Sequence, residues 1–249
     1  MNEEYKQKVL TTALLAGRIM MESGSEAYRV EDTMLRICRH AGFLNAESYV
    51  TATGIFLSLN DLTGSQLQQA RRRSTNFERI ANTNQLSRLY TSNAITLEEL
   101  NHRLQEVDIN TPNFPFWWKI ICAGIASTTL MIIMGGSYYD FLAAIPIGAA
   151  GYIVSVLVSK YTGLLFINDL FASIVITFLV LLLENLGLVT DRDMLIVGTL
   201  IPLVPGLAIT AAFRDLFAGH LLTGIVRSVE AIITASVLGI GIALMLSSM

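Results

Sequence analysis

The chain has 249 residues and a mean hydropathy of +0.54, with 53% hydrophobic and 15% charged residues and a net charge of -3. A soluble domain usually carries about 25% charged residues, so this composition excludes a single soluble domain. No segment is dominated by basic residues, which argues against a nucleic-acid partner. The two cysteines lie one in each half and no metal-binding spacing occurs, so neither a disulfide nor a metal or other cofactor is expected.

The charged residues are concentrated in the N-terminal part of the chain. Residues up to Phe116 carry 12 of the 17 Lys and Arg and 13 of the 20 Asp and Glu. Residues 1–111 are therefore predicted to form a cytosolic domain, residues 112–116 with Pro112 and Pro115 an extended linker, and residues 117–249 a transmembrane domain. The first twenty residues lack an apolar signal-peptide core.

The N-terminal domain is predicted to be small and α+β. Apolar residues recur at helical spacing over residues 4–22, and a second helix follows Gly24 and runs to Gly42, with Ser23 or Ser25 as its N-cap. The β-branched run 48–59, a turn at Asn60-Asp61 and a strand over 65–71 predict a hairpin. Two more helices are predicted at 81–92 and 97–108, the latter capped by Thr96.

The C-terminal part is predicted to form a five-helix transmembrane bundle, with spans near residues 117–135, 141–159, 166–187, 194–212 and 221–247. The fold class is thus an integral membrane protein, mainly α-helical, preceded by the small α+β domain. The excess of Lys and Arg in the N-terminal part predicts a cytosolic N-terminus and an extracytoplasmic C-terminus. The expected location is a bacterial inner membrane. Asp140 and Glu184 are expected to meet water in or near the loops.

The fourth predicted span is interrupted by Pro202, Pro205 and Gly206. Each proline removes a backbone donor, and broken helices near the bilayer midplane form substrate and ion sites in many secondary transporters. A kinked packing helix explains this motif equally well, because Pro and Gly are common in membrane helices.

Charged residues near spans three to five are the next candidates for a translocation site. Arg214, Asp215 and His220 follow the broken span, and Arg227 and Glu230 lie three residues apart in span five, where they are predicted to pair. A pair of interfacial side chains is the alternative. Asp169, early in span three, is predicted to carry a proton, to be a favourable partner of the helix dipole, or to cap its helix.

The N-terminal domain contains one dense polar stretch. Its members are Glu22, Ser23, Ser25, Glu26, Tyr28, Arg29, Glu31 and Asp32. No nucleophile elbow, metal-ligand pair or phosphate loop accompanies the stretch, so an enzyme is not expected. The triplet Arg71-Arg72-Arg73 is interpreted as a solvated strand end, or less often as a patch for anions or anionic lipid.

Three motifs resemble the large component of the threonine/serine exporter family. They are the stretch from Glu22 to Met34, the Thr53-Gly54 strand, and Pro205-Gly206 followed by Arg214-Asp215 and Gly219-His220. Because the fused members of that family carry about ten spans, this chain resembles the split, two-component form. The resemblance implies export of threonine and serine or of dicarboxylates such as succinate, driven by the proton-motive force. It also implies a second, smaller membrane subunit.

The same resemblance marks the positions expected to matter, with His220 standing where a carboxylate is more usual. These positions are Glu22, Glu31, Pro205, Gly206, Arg214, Asp215 and Gly219. The preferred hypothesis is an exporter subunit in the lipid bilayer, assembled in a higher oligomer, that binds a small-molecule substrate.

In this hypothesis Arg214 or Arg227 meets a substrate carboxylate, and Asp169, Asp215 or Glu230 relays protons. Two alternatives stay open. One is a membrane-anchored hydrolase, and the other is a metabolite-sensing membrane scaffold.

Overall fold

The computed structural model of the protein describes residues 2–59, 65–70, 74–110 and 114–248. Its contacts divide the chain into two compact units. The first unit contains Met1–Pro112 and Leu207–Ser228, and the second contains Asn113–Gly206 and Val229–Met249. Residues 207–228, predicted as part of the transmembrane domain, therefore group with the N-terminal domain.

Within the described residues the chain forms ten α-helices and three β-strands. In chain order they are α1 (Glu3–Glu22), α2 (Ala27–His40), β1 (Glu47–Val50), β2 (Gly54–Ser58), β3 (Ser65–Gln69), α3 (Phe77–Thr91), α4 (Leu97–Asn110), α5 (Phe116–Ile133), α6 (Phe141–Thr162), α7 (Ile167–Asn185), α8 (Arg192–Leu200), α9 (Gly206–Phe217) and α10 (Leu221–Ser247).

All four predicted helices of the N-terminal domain are confirmed, with small changes at their ends. Helix α3 begins four residues earlier than predicted, because the side chain of Asn76 accepts a hydrogen bond from the backbone N–H of Arg79 at 3.1 Å. Helix α4 begins as predicted, with the Thr96 hydroxyl accepting from the N–H of Glu99 at 3.2 Å.

The predicted N-cap of α2 is wrong. Glu26 occupies the cap position and its side chain makes no cap hydrogen bond. The Ser23 hydroxyl instead donates to the carbonyl of Ile19 at the end of α1, at 2.6 Å.

The sheet is antiparallel, with the strand order β1-β2-β3. The single strand predicted over 48–59 is wrong because a turn divides it. There the Thr51 N–H donates to the carbonyl of Gly54 at 2.8 Å, and the Thr51 hydroxyl accepts from the Gly54 N–H at 3.0 Å. The pairing of β2 with a strand at 65–69 is confirmed, whereas the Asn60-Asp61 turn and the Arg71–Arg73 triplet lie outside the described residues.

Helices α1, α2 and α4 pack with β2 around the core of the first unit. Its central side chains include Met34, Ile55 and Leu100, all fully buried. Helices α1 and α2 approach closely at Gly17, where a Cβ would lie 2.4 Å from the Met34 sulfur. The second segment of the unit, which contains α9 and the start of α10, follows the helix break.

The second unit consists of α5 to α8 and the rest of α10, around a core that includes Met131, Ile147 and Ile176. Close helix contacts occur at Gly148, where a Cβ would collide with the Ser127 side chain, and at Gly241, where a Cβ would collide with the Ser173 side chain. A Cβ at Gly239 meets open space.

Four helical segments in the described residues are long and apolar enough to cross a membrane, namely Phe116–Ile133, Tyr138–Thr162, Ile167–Asn185 and Leu221–Ser247. The bent pair Arg192–Leu203 and Gly206–Phe217 raises the number to five if it forms one span. These assignments rest on length and composition, and they agree with the predicted positions of the spans.

The prediction that Asp140 meets water is wrong. Its side chain is fully buried, and its two carboxylate oxygens accept hydrogen bonds from the backbone N–H groups of Thr190 and Asp191 at 2.8 and 2.9 Å. Asp140 therefore holds the segment that leads into α8.

Candidate functional site

The break predicted in the fourth span is present. Helix α8 passes into a 3-10 turn over Ile201–Leu203 that contains Pro202, and α9 starts at Gly206, directly after Pro205. Proline has no backbone N–H to continue the helix, so the two halves cannot share one ladder of hydrogen bonds. Helix α9 then brings Arg214 and Asp215 to the N-terminus of α2, within the first unit.

Asp215 replaces the missing N-cap of α2. Its Oδ1 accepts the hydrogen bond of the Ala27 backbone N–H at 2.8 Å, although the two residues are 188 positions apart. A carboxylate at this end of a helix satisfies a free N–H and is favoured by the helix dipole. The side chain is fully buried, so the contact holds α9 firmly against α2.

Arg227 is the buried cation of this cluster. Its Nη1 lies 3.0 Å from Oδ2 of Asp215, and its Nη2 donates to the carbonyl of Ser25 at 2.8 Å. Only 11% of the Arg227 side chain is exposed. The start of α10 is thereby joined both to α9 and to the chain that leads into α2.

Glu26 and Arg214 form a second ion pair beside the first. Arg214 Nη1 donates to Glu26 Oε1 at 2.7 Å, and Arg29 lies 3.3 Å from the other oxygen. Burial by itself would raise the pKa of the Glu26 carboxyl, but its backbone hydrogen bond, the Arg214 hydrogen bond and the charges of Arg29 and Arg214 outweigh it and lower the pKa. The Arg214 side chain remains 64% exposed, so a second anion can reach it.

Glu31, one turn further along α2, faces His220. Its Oε1 accepts from the backbone N–H of Val50 at 2.9 Å, and its Oε2 lies 3.7 Å from His220 Nε2. Burial and the nearby Asp215 raise the pKa of the Glu31 carboxyl more than the Val50 hydrogen bond and the charge of His220 lower it. The carboxyl is therefore a group whose protonation responds to its neighbours.

The turn between α9 and α10 explains why Gly219 and His220 occur together. Gly219 has a φ of +88°, its N–H donates to the Leu216 carbonyl, and the N–H of His220 donates to the carbonyl of Asp215. This is the Schellman arrangement that ends a helix at a left-handed glycine. It directs α10 back along α9, where Gly224 leaves space for the side chain of Leu216.

The first unit thus brings together several of the predicted site residues. They are Ser25, Glu31, Arg214, Asp215, His220 and Arg227. Tyr28 is 37% exposed on α2, and Glu22 contributes its backbone carbonyl to a hydrogen bond with the Ser74 N–H.

Asp169 and Glu230 belong to the second unit. Asp169 lies in the first turn of α7 and accepts a hydrogen bond from the Asn168 side chain at 2.7 Å. The cap predicted as its alternative role is not formed, because Phe166 holds the cap position without a side-chain hydrogen bond. The predicted pairing of Arg227 with Glu230 stays a prediction.

Sequence reasoning missed Glu26 as a site residue, although it placed Glu26 in the polar stretch. It also missed the carbonyl of Val50, which accepts a hydrogen bond from the Thr223 hydroxyl at 3.2 Å. A carboxylate at the start of a helix was the one local signal for Glu26.

The cluster combines carboxylates with cationic or ionisable side chains. Three carboxylates, Glu26, Glu31 and Asp215, each lie beside a cationic or ionisable side chain, and among the described residues no group of three His, Cys, Asp or Glu is placed to hold a metal ion. Such a cluster can bind a carboxylate at an arginine or move a proton between carboxyl groups.

Two comparisons with known proteins gave a match. The family model described as "Putative threonine/serine exporter" matches residues 11–249. The chain is also 23% identical over 243 residues to the "Probable threonine/serine exporter" of Mycobacterium tuberculosis, which covers 96% of this chain and 46% of that protein. The chain therefore spans about half the length of the curated relative it matches. No solved structure was found to match it. Since the family model covers nearly the whole chain, the chain belongs to the threonine/serine exporter family.

Proposed function

We propose that the chain is part of a secondary-active exporter of small amino or organic acids, with threonine, serine and dicarboxylates such as succinate as the substrates to test. The observation that carries the proposal is the charge cluster that follows the broken fourth span. Charges beside a discontinuous membrane helix are typical of transport sites. Family membership supports transport rather than catalysis.

Arg214 is the proposed contact for a substrate carboxylate. Its guanidinium already binds one carboxylate, that of Glu26, at 2.7 Å, and most of its side chain is exposed. A substrate carboxylate has the same chemistry as the Glu26 side chain and can replace it at Arg214. Arg227 is too deeply engaged with Asp215 and Ser25 to be the first contact, so we assign it to holding the cluster together.

Proton coupling is the proposed driving mechanism. The raised pKa of Glu31 and its position beside His220 support a proton exchange at this pair. Asp215 is linked to the same cluster, while Asp169 and Glu230 remain further proposed relay positions in the second unit. In this scheme the export of a substrate is coupled to the movement of a proton in the opposite direction.

The proposed setting is a bacterial inner membrane with the N-terminal domain in the cytosol and the C-terminus outside. We further propose that a second, smaller membrane subunit completes the transporter in a higher oligomer. Co-purification from native membranes tests this part. Recovery of a small membrane protein in a fixed ratio supports it, and recovery of the chain alone in active form would exclude it.

Counterflow in proteoliposomes tests the function. The full chain, with any co-purified subunit, is reconstituted in vesicles loaded with unlabelled threonine, serine or succinate, and uptake of the labelled compound is measured. Arg214→Gln is expected to abolish counterflow. Arg36→Gln is the matched control, because Arg36 lies on α2 in an ion pair with Asp32 at the protein surface. Equal counterflow by both variants would remove Arg214 from the site.

A further inference from the structure

The outer face of the sheet carries a row of exposed apolar side chains. Tyr49, Phe56 and Leu67 are direct neighbours across β1, β2 and β3, and they are 53%, 39% and 57% exposed. The rings of Tyr49 and Phe56 are in contact, with centroids 6.3 Å apart. We call these three residues the apolar row.

The apolar row is separate from the core of the unit. Side chains alternate between the two faces of a strand, and Ile55 and Leu57, on either side of Phe56, are fully buried in the core. The sheet therefore already has its packing face. A second apolar face on a small sheet indicates contact with another apolar phase or molecule.

The position of the apolar row in the first unit indicates which apolar phase or molecule it contacts. Val50, the neighbour of Tyr49, accepts a hydrogen bond through its carbonyl from Thr223, in the first turn of α10. Helix α10 is long and apolar enough to cross a membrane, and Leu222 and Ile225 near its start are more than half exposed. The sheet is thus attached at the level where this candidate span begins.

The residue types also suit a bilayer surface. Tyrosine and phenylalanine rings are favoured at the boundary between headgroups and acyl chains.

We propose that the apolar row lies on the lipid bilayer, with its side chains among the headgroups and the first acyl carbons. The N-terminal domain is then held at the membrane by the apolar row of its sheet as well as by its covalent connection to the candidate spans. This contact is independent of which substrate is exported.

Spin labelling of the full chain in proteoliposomes tests the proposal. The label is placed at Leu67→Cys in a Cys122→Ser background, since the other cysteine, Cys38, is buried. Ala94→Cys is the control position in the same unit. It is exposed and adjoins Asn93, which bonds to His40 at the end of α2 remote from Asp215. Ile232→Cys on α10, 64% exposed, calibrates the hydrocarbon region.

Collisions with oxygen, which is enriched in lipid, and with a water-soluble nickel complex report the surroundings of each label. We expect the oxygen-to-nickel accessibility ratio at position 67 to be several-fold higher than at position 94 and lower than at position 232. A ratio at position 67 equal to that at 94 would overturn the proposal. Shielding from both reagents would also overturn it, since it would place a protein surface on the row. A water-like ratio at position 232 would refute the span itself, and the proposal with it.

Discussion

Replacement of Asp215 by Asn tests the long-range link between α9, α2 and α10. The substitution removes one negative charge and keeps the size of the side chain. An amide oxygen can still accept the hydrogen bond of the Ala27 N–H, so the cap of α2 is retained. The loss is confined to the ion pair with Arg227, whose atoms lie 3.0 Å apart.

The size of the effect follows from burial. Asp215 is fully buried and the Arg227 side chain is 11% exposed, so the pair is shielded from water. Removing one partner of a buried pair costs about 3–5 kcal/mol. Because the cap remains and Arg227 keeps its bond to Ser25, we expect about 3 kcal/mol. For a chain of this size, that corresponds to a decrease of about 6–12 °C in melting temperature.

Thermal unfolding in detergent, followed by the loss of the monodisperse protein, measures this change. Asp32→Asn is the matched control, because Asp32 lies on α2 in a surface pair with Arg36 whose side chains are 61% and 31% exposed. A surface pair contributes about 0–1 kcal/mol, so the control is expected to unfold near the temperature of the original protein. Equal melting temperatures for the two variants would refute the buried ion pair.

Three further predictions concern stability and reactivity. The lowered pKa of Glu26 means that its charge stabilises the fold above its unfolded pKa, and that this stabilisation is lost as the pH falls through the folded pKa. Glu26→Gln should therefore lower the melting temperature at about pH 7, and the decrease should become smaller as the pH falls below 4.5, the unfolded pKa; an equal decrease at every pH would contradict this. Gly198→Ala should destabilise the second unit, because its Cβ would lie 2.6 Å from the Cα of Met131. Gly239→Ala, where a Cβ meets open space, should be neutral in the same melting experiment. Burial raises the pKa of the Cys38 thiol to about 12, so N-ethylmaleimide should modify Cys38 only after denaturation, as followed by mass spectrometry. Rapid modification of Cys38 in the native protein would show that it is accessible.

The features that depend on local sequence could be predicted. Runs of about 20 apolar residues predict the candidate membrane spans. Pro202 and Pro205 remove backbone donors wherever they lie, so the helix break could be predicted directly. Periodicity likewise placed the helices of the N-terminal domain. The divided strand was missed because the Thr51 side chain, which stabilises the turn before Gly54, gives no signal in an apolar pattern.

The features that depend on distant partners could not be predicted. The cap of α2 comes from Asp215, 188 residues further on, and no local pattern distinguishes such a carboxylate from one in water. Asp140 was misread for the same reason, since its partners are backbone N–H groups some 50 residues away. The sequence identified the charged residues, but only the fold shows which of them form pairs.

A charge swap between Glu26 and Arg214 tests the central claim that Arg214 meets the substrate. Glu26→Arg and Arg214→Glu are made singly and together, and both melting temperature and threonine counterflow are measured. Each single variant places like charges together at a contact of 2.7 Å and should be less stable. The double variant restores an ion pair and should regain part of the melting temperature, because Arg29 remains beside position 26. We predict that counterflow is not restored in the double variant, because a carboxylate at position 214 repels the substrate. Restored counterflow would show that the pair is structural and would contradict the account.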